Sequence, residues 1–326
     1  MREVFYEIKN SKFIRNVSIL VTGTVAAQSI AIFLSPVITR LYGPEAYGLM
    51  GTFHALISII VPIAALTYPI AIVLPKKVEE AKAIMKLSLL VSILLSVIIL
   101  IIILFFHREI SNKLKIQDIS DFLYFLPIVV ILTSFMQVME QWLIRTKQFS
   151  INAKATFFQS AIENISKVGI GFFYPVAQIL IIFTAVSNGL RGFFMYIFTK
   201  KDIKLKKNLG KNDINKIIDV AKKHKDFPIY RAPQDFLFAL QQSFPIVLLT
   251  SFFGPVSTGF YTISRTVLNL PTILIGKAVG DVFYPRVAEA KNNNENFVNL
   301  LKKSTLGLAI VGFVPYSLVI IIGPIL

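Results

Sequence analysis

Apolar runs of roughly twenty residues recur along the chain, and a helix needs roughly that length to cross a bilayer. The clearest, SLLVSILLSVIILIIILFF from Ser88 to Phe106, contains no charge. The pattern predicts nine spans, at 17–38, 46–74, 84–106, 121–143, 152–173, 176–199, 232–253, 257–282 and 304–326. The connections are short except for residues 200–231. The expected fold class is an all-α polytopic membrane protein with about nine transmembrane helices. The first sixteen residues, MREVFYEIKNSKFIRN, are polar, and the apolar stretch after them carries Thr22, Thr24, Gln28 and Ser29. No small-residue cleavage site ends a short apolar region, so a retained first helix is expected, not a signal peptide.

The fifth span is the most polar. INAKATFFQSAIENISKVGIGFF holds Gln159, Glu163 and Lys167 at i, i+4 and i+8, on one side of a helix. A surface-lying amphipathic helix is the alternative. Parity favours crossing, because otherwise the eleven cations of 200–231 would fall on the outer side with the sixth span. The polar side is then expected to turn away from lipid. Within 200–231, NDINKIIDVAKKHKDFP sets Ile214, Ile217, Ile218 and Ala221 in a stripe that Pro228 ends. An amphipathic helix lying on the membrane is expected there.

A repeat organises the whole. LYGPEAYGLM and FFGPVSTGFY coincide at a shift of 211, with Gly43, Pro44 and Gly48 on Gly254, Pro255 and Gly259, and His54 on Arg265. LPKKVEEAK (74–82) then matches YPRVAEAK (284–291) after a one-residue gap. An even number of spans separates the copies, so both face the same way, as in parallel repeats about the membrane normal. A chance match between two turn signals is the plainer alternative. The expected division is a six-helix N-terminal lobe (1–199), a basic cytoplasmic linker (200–231) and a partial C-terminal lobe of three helices (232–326). Position 326 corresponds to 115, so the second lobe is expected to lack its last three helices, as a fragment of a twelve-span protein would; a natural nine-span protein is the alternative.

Composition agrees and narrows the function. The chain is 55% hydrophobic with a mean hydropathy of +0.67, where soluble domains run to roughly 45–50% apolar. Net charge is +16. With the N-terminus inside, 26 of the 34 Lys and Arg lie inside and only Arg40, Arg108, Lys113 and Lys115 outside, the bias that sets topology. Such a face favours anionic lipids and requires no nucleic acid. The absence of cysteine excludes disulfides and thiolate sites. His54, His107 and His224 are too scattered for a histidine metal cluster, so no metal or catalytic residue is expected. No Gly-x-x-x-x-Gly-Lys-Ser/Thr is present, which argues against an ATP-driven pump in this chain. Short outer loops argue against an enzyme with an outer acceptor domain.

Four stretches carry a resemblance: LSPVITRLYGPEAYGL, YPIAIVLPKKVEEA, DFPIYRAPQDFLFALQQSFPIVLLTSFFGPVSTGFY and LPTILIGKAVGDVFYPRVAEA. They are similar to the polysaccharide and O-antigen flippase family of the multidrug/oligosaccharidyl-lipid/polysaccharide exporter superfamily. The resemblance implies a two-lobed transporter, not an enzyme, in a bacterial or archaeal cytoplasmic membrane. Its implied cargo is undecaprenyl-diphosphate-linked oligosaccharide, carried to the outer leaflet by alternating access for surface polysaccharide or lipopolysaccharide biosynthesis. Polysaccharide polymerase and glycosyltransferases are the implied partners. No cofactor is implied; a proton or sodium gradient is left open. A cation-coupled drug antiporter of the same superfamily and a membrane enzyme of polysaccharide assembly are the alternatives.

Ionisable residues inside spans mark candidate chemistry, since each costs about 2.5–3.5 kcal/mol at a helix centre on insertion scales. Four are cations, Lys167, Arg191, Arg265 and Lys277, and four are acids, Glu140, Glu163, Asp235 and Asp281. Glu163–Lys167 and Lys277–Asp281 are spaced i, i+4 and either neutralise one another or serve a cavity. Glu140, Arg191 and Asp235 lie near inner ends and are expected to snorkel. Arg265, Lys167, Arg40 and His54 are the candidate substrate residues, because a guanidinium grips diphosphate bidentately. His54 reads equally as a hydrogen-bonded packing residue. Glu163 and Asp235 are candidates for ion coupling, alongside His54.

Overall fold

The computed structural model describes residues 12–114, 116–199 and 211–292, together with Ser317, with side chains over 23–113, 116–199 and 214–266 and at Leu268 and Ser317. The ninth expected span, apart from Ser317, and the side chains of Lys277 and Asp281 lie outside what is described. Every described element is helical. The order is α1 (Lys12–Ala64), a 3-10 turn (Tyr68–Val73), α2 (Val78–Leu114), a second 3-10 stretch (Gln117–Phe125), α3 (Leu126–Arg145), α4 (Phe149–Gly171), α5 (Ala177–Thr199), α6 (Lys211–Lys223), a π-turn (Phe227–Arg231) and α7 (Ala232–Asn292). Five stretches among the described residues are long and apolar enough to cross a membrane: Gly23–Ala64, Val78–Lys113, Gln117–Arg145, Ala177–Thr199 and Phe227–Thr266. The chain is an all-α, multi-pass membrane protein.

The chain divides into two compact units, Met1–Gly259 and Phe260–Leu326, with the division inside α7. In the first unit, α1 covers both of the first two expected spans. The outer turn expected at Gly43 is present as a non-helical break between the two halves of α1, made by a single residue at φ 74° and ψ 171°. Glycine alone takes that φ cheaply. The following Pro44 drives its predecessor to extended ψ and opens the next half-helix at a position whose N–H would be idle. Leu66 and Thr67, both at positive φ, stop the helix ten residues before the expected end at 74.

Two apolar cores sit at opposite ends of this bundle. One gathers Leu49, Phe53 and Ile57 of α1 with Ile103, Leu126, Val129 and Ile181. The other gathers Tyr68 and Ile72 with Ile84, Met85, Met139, Trp142, Leu143 and Met195. On α2, Ser88, Ser92 and Ser96 are buried while Leu90, Ile93, Leu94, Val97, Ile98 and Ile101 are exposed. Small residues at the contact and large apolar ones facing out is the membrane arrangement, in which close approach replaces hydrophobic drive.

α6 does not lie free on a surface. Ile217 and Val220 join the second core, and Ala221 packs on it, while Ile214 and Ile218 are exposed. Lys216 and Lys223 pair with Glu79 and Glu80 of α2 at 3.0 and 3.1 Å. Half of the expected apolar stripe therefore docks on the end of the bundle.

Candidate functional site

Along α5, Ser187, Asn188 and Arg191 lie between Ala185 of one core and Met195 of the other. The polar side chains of α3 and α4 meet them there. α4 was expected to turn its polar side away from lipid, and that side faces inward, leaving Ile162, Ile165 and Ile170 exposed. Its heaviest packing is against α1.

Two networks result. In the first, Lys167 Nζ donates to Glu163 Oε1, and Gln159 Nε2 donates to Glu163 Oε2, both at 2.5 Å. Ser187 Oγ of α5 donates to the same Oε2 at 2.7 Å and accepts from Gln159 at 2.7 Å. The i, i+4 spacing seen in the sequence is thus a real ion pair, completed by a hydroxyl from the neighbouring helix. Tyr42 of α1 donates its OH to the Lys167 carbonyl at 2.7 Å.

In the second network, Arg191 Nη2 donates to Glu140 Oε1 at 2.7 Å and to Asn152 Oδ1 at 2.9 Å. Asn152 Nδ2 closes the triangle on Glu140 at 3.3 Å. Glu140 and Arg191 do not snorkel separately; they neutralise each other across α3 and α5, because a nearby opposite charge replaces the solvation that burial removes. Arg191 Nε keeps a buried N–H with no partner, so the layer retains one donor for a guest or a water. Asp235 instead meets Arg231 at 3.7 Å, part-exposed at the start of α7.

A third arrangement joins the two Gly-Pro corners. Gly254 sits at φ 81° and ψ 176°, the conformation of Gly43 repeated. A Cβ at Gly48 would overlap the carbonyl of Pro255, and a Cβ at Gly259 would overlap that of Pro44. The contact is reciprocal, as between two copies of one motif about a two-fold. Behind it runs a hydroxyl chain: Thr52 meets Thr250 at 2.6 Å and Thr250 meets Thr258 at 3.0 Å.

The four candidate substrate residues do not share one environment. Lys167 is buried and paired with Glu163. Arg40 is exposed on α1. His54 is exposed, with Nδ1 3.3 Å from Ser58 Oγ. Arg265 is partly buried in the second unit. Sequence reasoning missed Asn152, Ser187 and the threonine chain. Thr52 and Thr258 fall on Ile263 and Tyr47 under the 211 shift, so the repeat gives no signal for the threonine chain. Among the described residues no cluster of His, Asp and Glu could hold a metal.

Outside the spans, His224 stacks edge-on against Phe227, with Nε2 buried and unpartnered. Burial, helped by the charge of Lys223, lowers its pKa; Glu80 and Asp226 oppose this.

A family model described as polysaccharide biosynthesis protein matches residues 37–323. No curated protein and no solved structure matches the chain.

Proposed function

We propose a function from one premise: the chain belongs to the polysaccharide biosynthesis protein family. A role in polysaccharide biosynthesis follows, exercised by a multi-pass membrane protein. The finer reading is a flippase that carries undecaprenyl-diphosphate-linked oligosaccharide from the cytoplasmic to the outer leaflet, transporting its cargo without making or breaking bonds.

The observation that carries this reading is the layer of paired charges between α3, α4 and α5. A bundle that only anchored other parts would gain nothing from two part-buried ion pairs, whose charges lose much of their water on folding. A bundle that lines a wet passage for a sugar needs hydroxyls, amides and charges on its inner side. Arg265, Arg40 and His54 are assigned to the diphosphate and the sugars, with Lys167 held in reserve by Glu163. Glu163 and Asp235 are assigned to coupling with a proton or sodium gradient, and no cofactor is required. The lysine-rich end, with α6, is assigned to the cytoplasmic side, in a bacterial or archaeal cytoplasmic membrane beside the polymerase and glycosyltransferases.

The test is reconstitution of the chain in proteoliposomes with a fluorescent lipid-linked oligosaccharide. Outer-leaflet arrival should require the protein and fall at least tenfold in Arg265→Ala, with partial recovery in Arg265→Lys. Arrival equal to that of protein-free vesicles sinks the reading.

A further inference from the structure

At the lysine-rich end of the first unit, the carboxyl end of α3 meets the 3-10 turn that precedes α2. An open pocket of about 890 Å³ lies between them, walled by Leu74, Lys76, Val78, Trp142, Arg145 and Lys147 among others. We infer that this pocket seats the phosphate of a lipid headgroup, with the acyl chains running along the apolar rim.

Charge is the first argument. The wall holds three cations, Lys76, Arg145 and Lys147, and no acid. The nearest acids in sequence, Glu79 and Glu80, are turned to Lys216 and Lys223 of α6. Arg145 is held in place, its Nη1 donating to the carbonyls of Ile72, Val73 and Pro75 and its Nη2 to that of Lys76. Lys76 and Lys147 are exposed and have no acidic partner among the described residues. Two free ammonium groups beside a fixed guanidinium suit a phosphate.

A second observation is independent of charge. Trp142 is only 3% exposed, and its indole N–H has no hydrogen-bond partner. A buried donor without an acceptor calls for an explanation, and Trp142 is among the residues that wall the pocket.

Backbone geometry adds a third. α3 ends in a Schellman closure, with Gln148 N donating to Leu143 O at 2.8 Å and Lys147 N to Ile144 O at 3.1 Å. Glycine usually fills that left-handed position; here it is Lys147, at φ 57°. Strain kept at such a place points to a function for the side chain.

The lipid source follows from the rim. Val73, Leu74 and Val78 are exposed there, where a soluble phosphate would gain nothing from them but an acyl chain would. Exposed basic residues beside exposed apolar ones suit the boundary of an anionic leaflet. The site stands whether or not the chain is a flippase.

Trp142 is the only tryptophan in the sequence, so the full chain reports on its own pocket. In a neutral detergent, phosphatidylglycerol should change the Trp142 emission saturably. Lys76→Gln with Lys147→Gln should raise the half-saturating lipid concentration about tenfold or more. Native mass spectrometry should show one fewer phosphatidylglycerol retained on the double variant, an outcome independent of fluorescence. Inorganic pyrophosphate should neither mimic nor compete with the lipid. Competition by pyrophosphate would overturn the lipid assignment in favour of a soluble phosphate. An unchanged half-saturation and an unchanged lipid count in the double variant would overturn the site itself.

Discussion

At Gly43 and Gly254 the backbone does the same thing, and one residue earlier the two copies part. Tyr42 is 7% exposed, its ring over Gly171 of α4 and its OH on the Lys167 carbonyl. Phe253, its mate under the 211 shift, is 71% exposed. The corner geometry is therefore local: Gly-Pro makes it at both described corners. Anchorage is not local, because it needs a second helix with a glycine where the ring lands. The repeat transmits the first property without the second.

The largest expected effect tests the reciprocity of the corners. Gly→Ala inside an ordinary exposed helix stabilises by about 0.5–1 kcal/mol. At Gly48 and at Gly259 the sign should reverse, to a loss of about 1–3 kcal/mol, because a carbonyl must move aside. Thermal unfolding in detergent measures this, and a loss at one position with a gain at the other would break the symmetry. Next come Gly43→Ala and Gly254→Ala. Nothing crowds a Cβ at either place, so only the backbone conformation counts, a positive φ with extended ψ that is essentially reserved for glycine, at about 1–3 kcal/mol. Equal losses support a shared backbone device.

The anchorage difference gives a smaller contrast. Tyr42→Phe should cost about 0.5–1.5 kcal/mol for the lost hydrogen bond, while Phe253→Leu should stay within about 0.5 kcal/mol of the parent. Equal costs would mean that Phe253 is packed after all. The smallest effect lies away from both corners. The lowered pKa of His224 means that its neutral form is favoured in the docked state. Docking of α6 should be firm above the ordinary value of 6.5 and weaken as pH falls below it, since the undocked imidazole binds protons first. Hydrogen exchange of 214–223 measures this, and His224→Phe should remove the pH dependence.

Hydropathy made most of the fold legible. Ser88–Phe106 could be nothing but a span, and the i, i+4, i+8 polar side of α4 foretold which way that helix would turn. Gly-Pro announced the break at 43, but not that a single residue would make it. The ion pair of Glu163 and Lys167 was readable because its spacing is local. Glu140 and Arg191 stand 51 positions apart, and no periodicity within one helix brings them together, so each looked like an end residue reaching for water. α6 was half legible. Its stripe was visible, but whether Ile217 would meet lipid or protein depended on Tyr68 and Ile84, from elsewhere in the chain.

Arg145 has a bearing on how the chain is made. The carbonyls of Ile72, Val73, Pro75 and Lys76 face one guanidinium, and Pro75 precedes it by 70 residues. During synthesis that bend emerges and waits, its oxygens held only by water, until the fourth apolar stretch has been delivered. A nascent chain halted between those two points should have a protease-sensitive elbow at 72–76 that becomes resistant once residue 145 has left the ribosome.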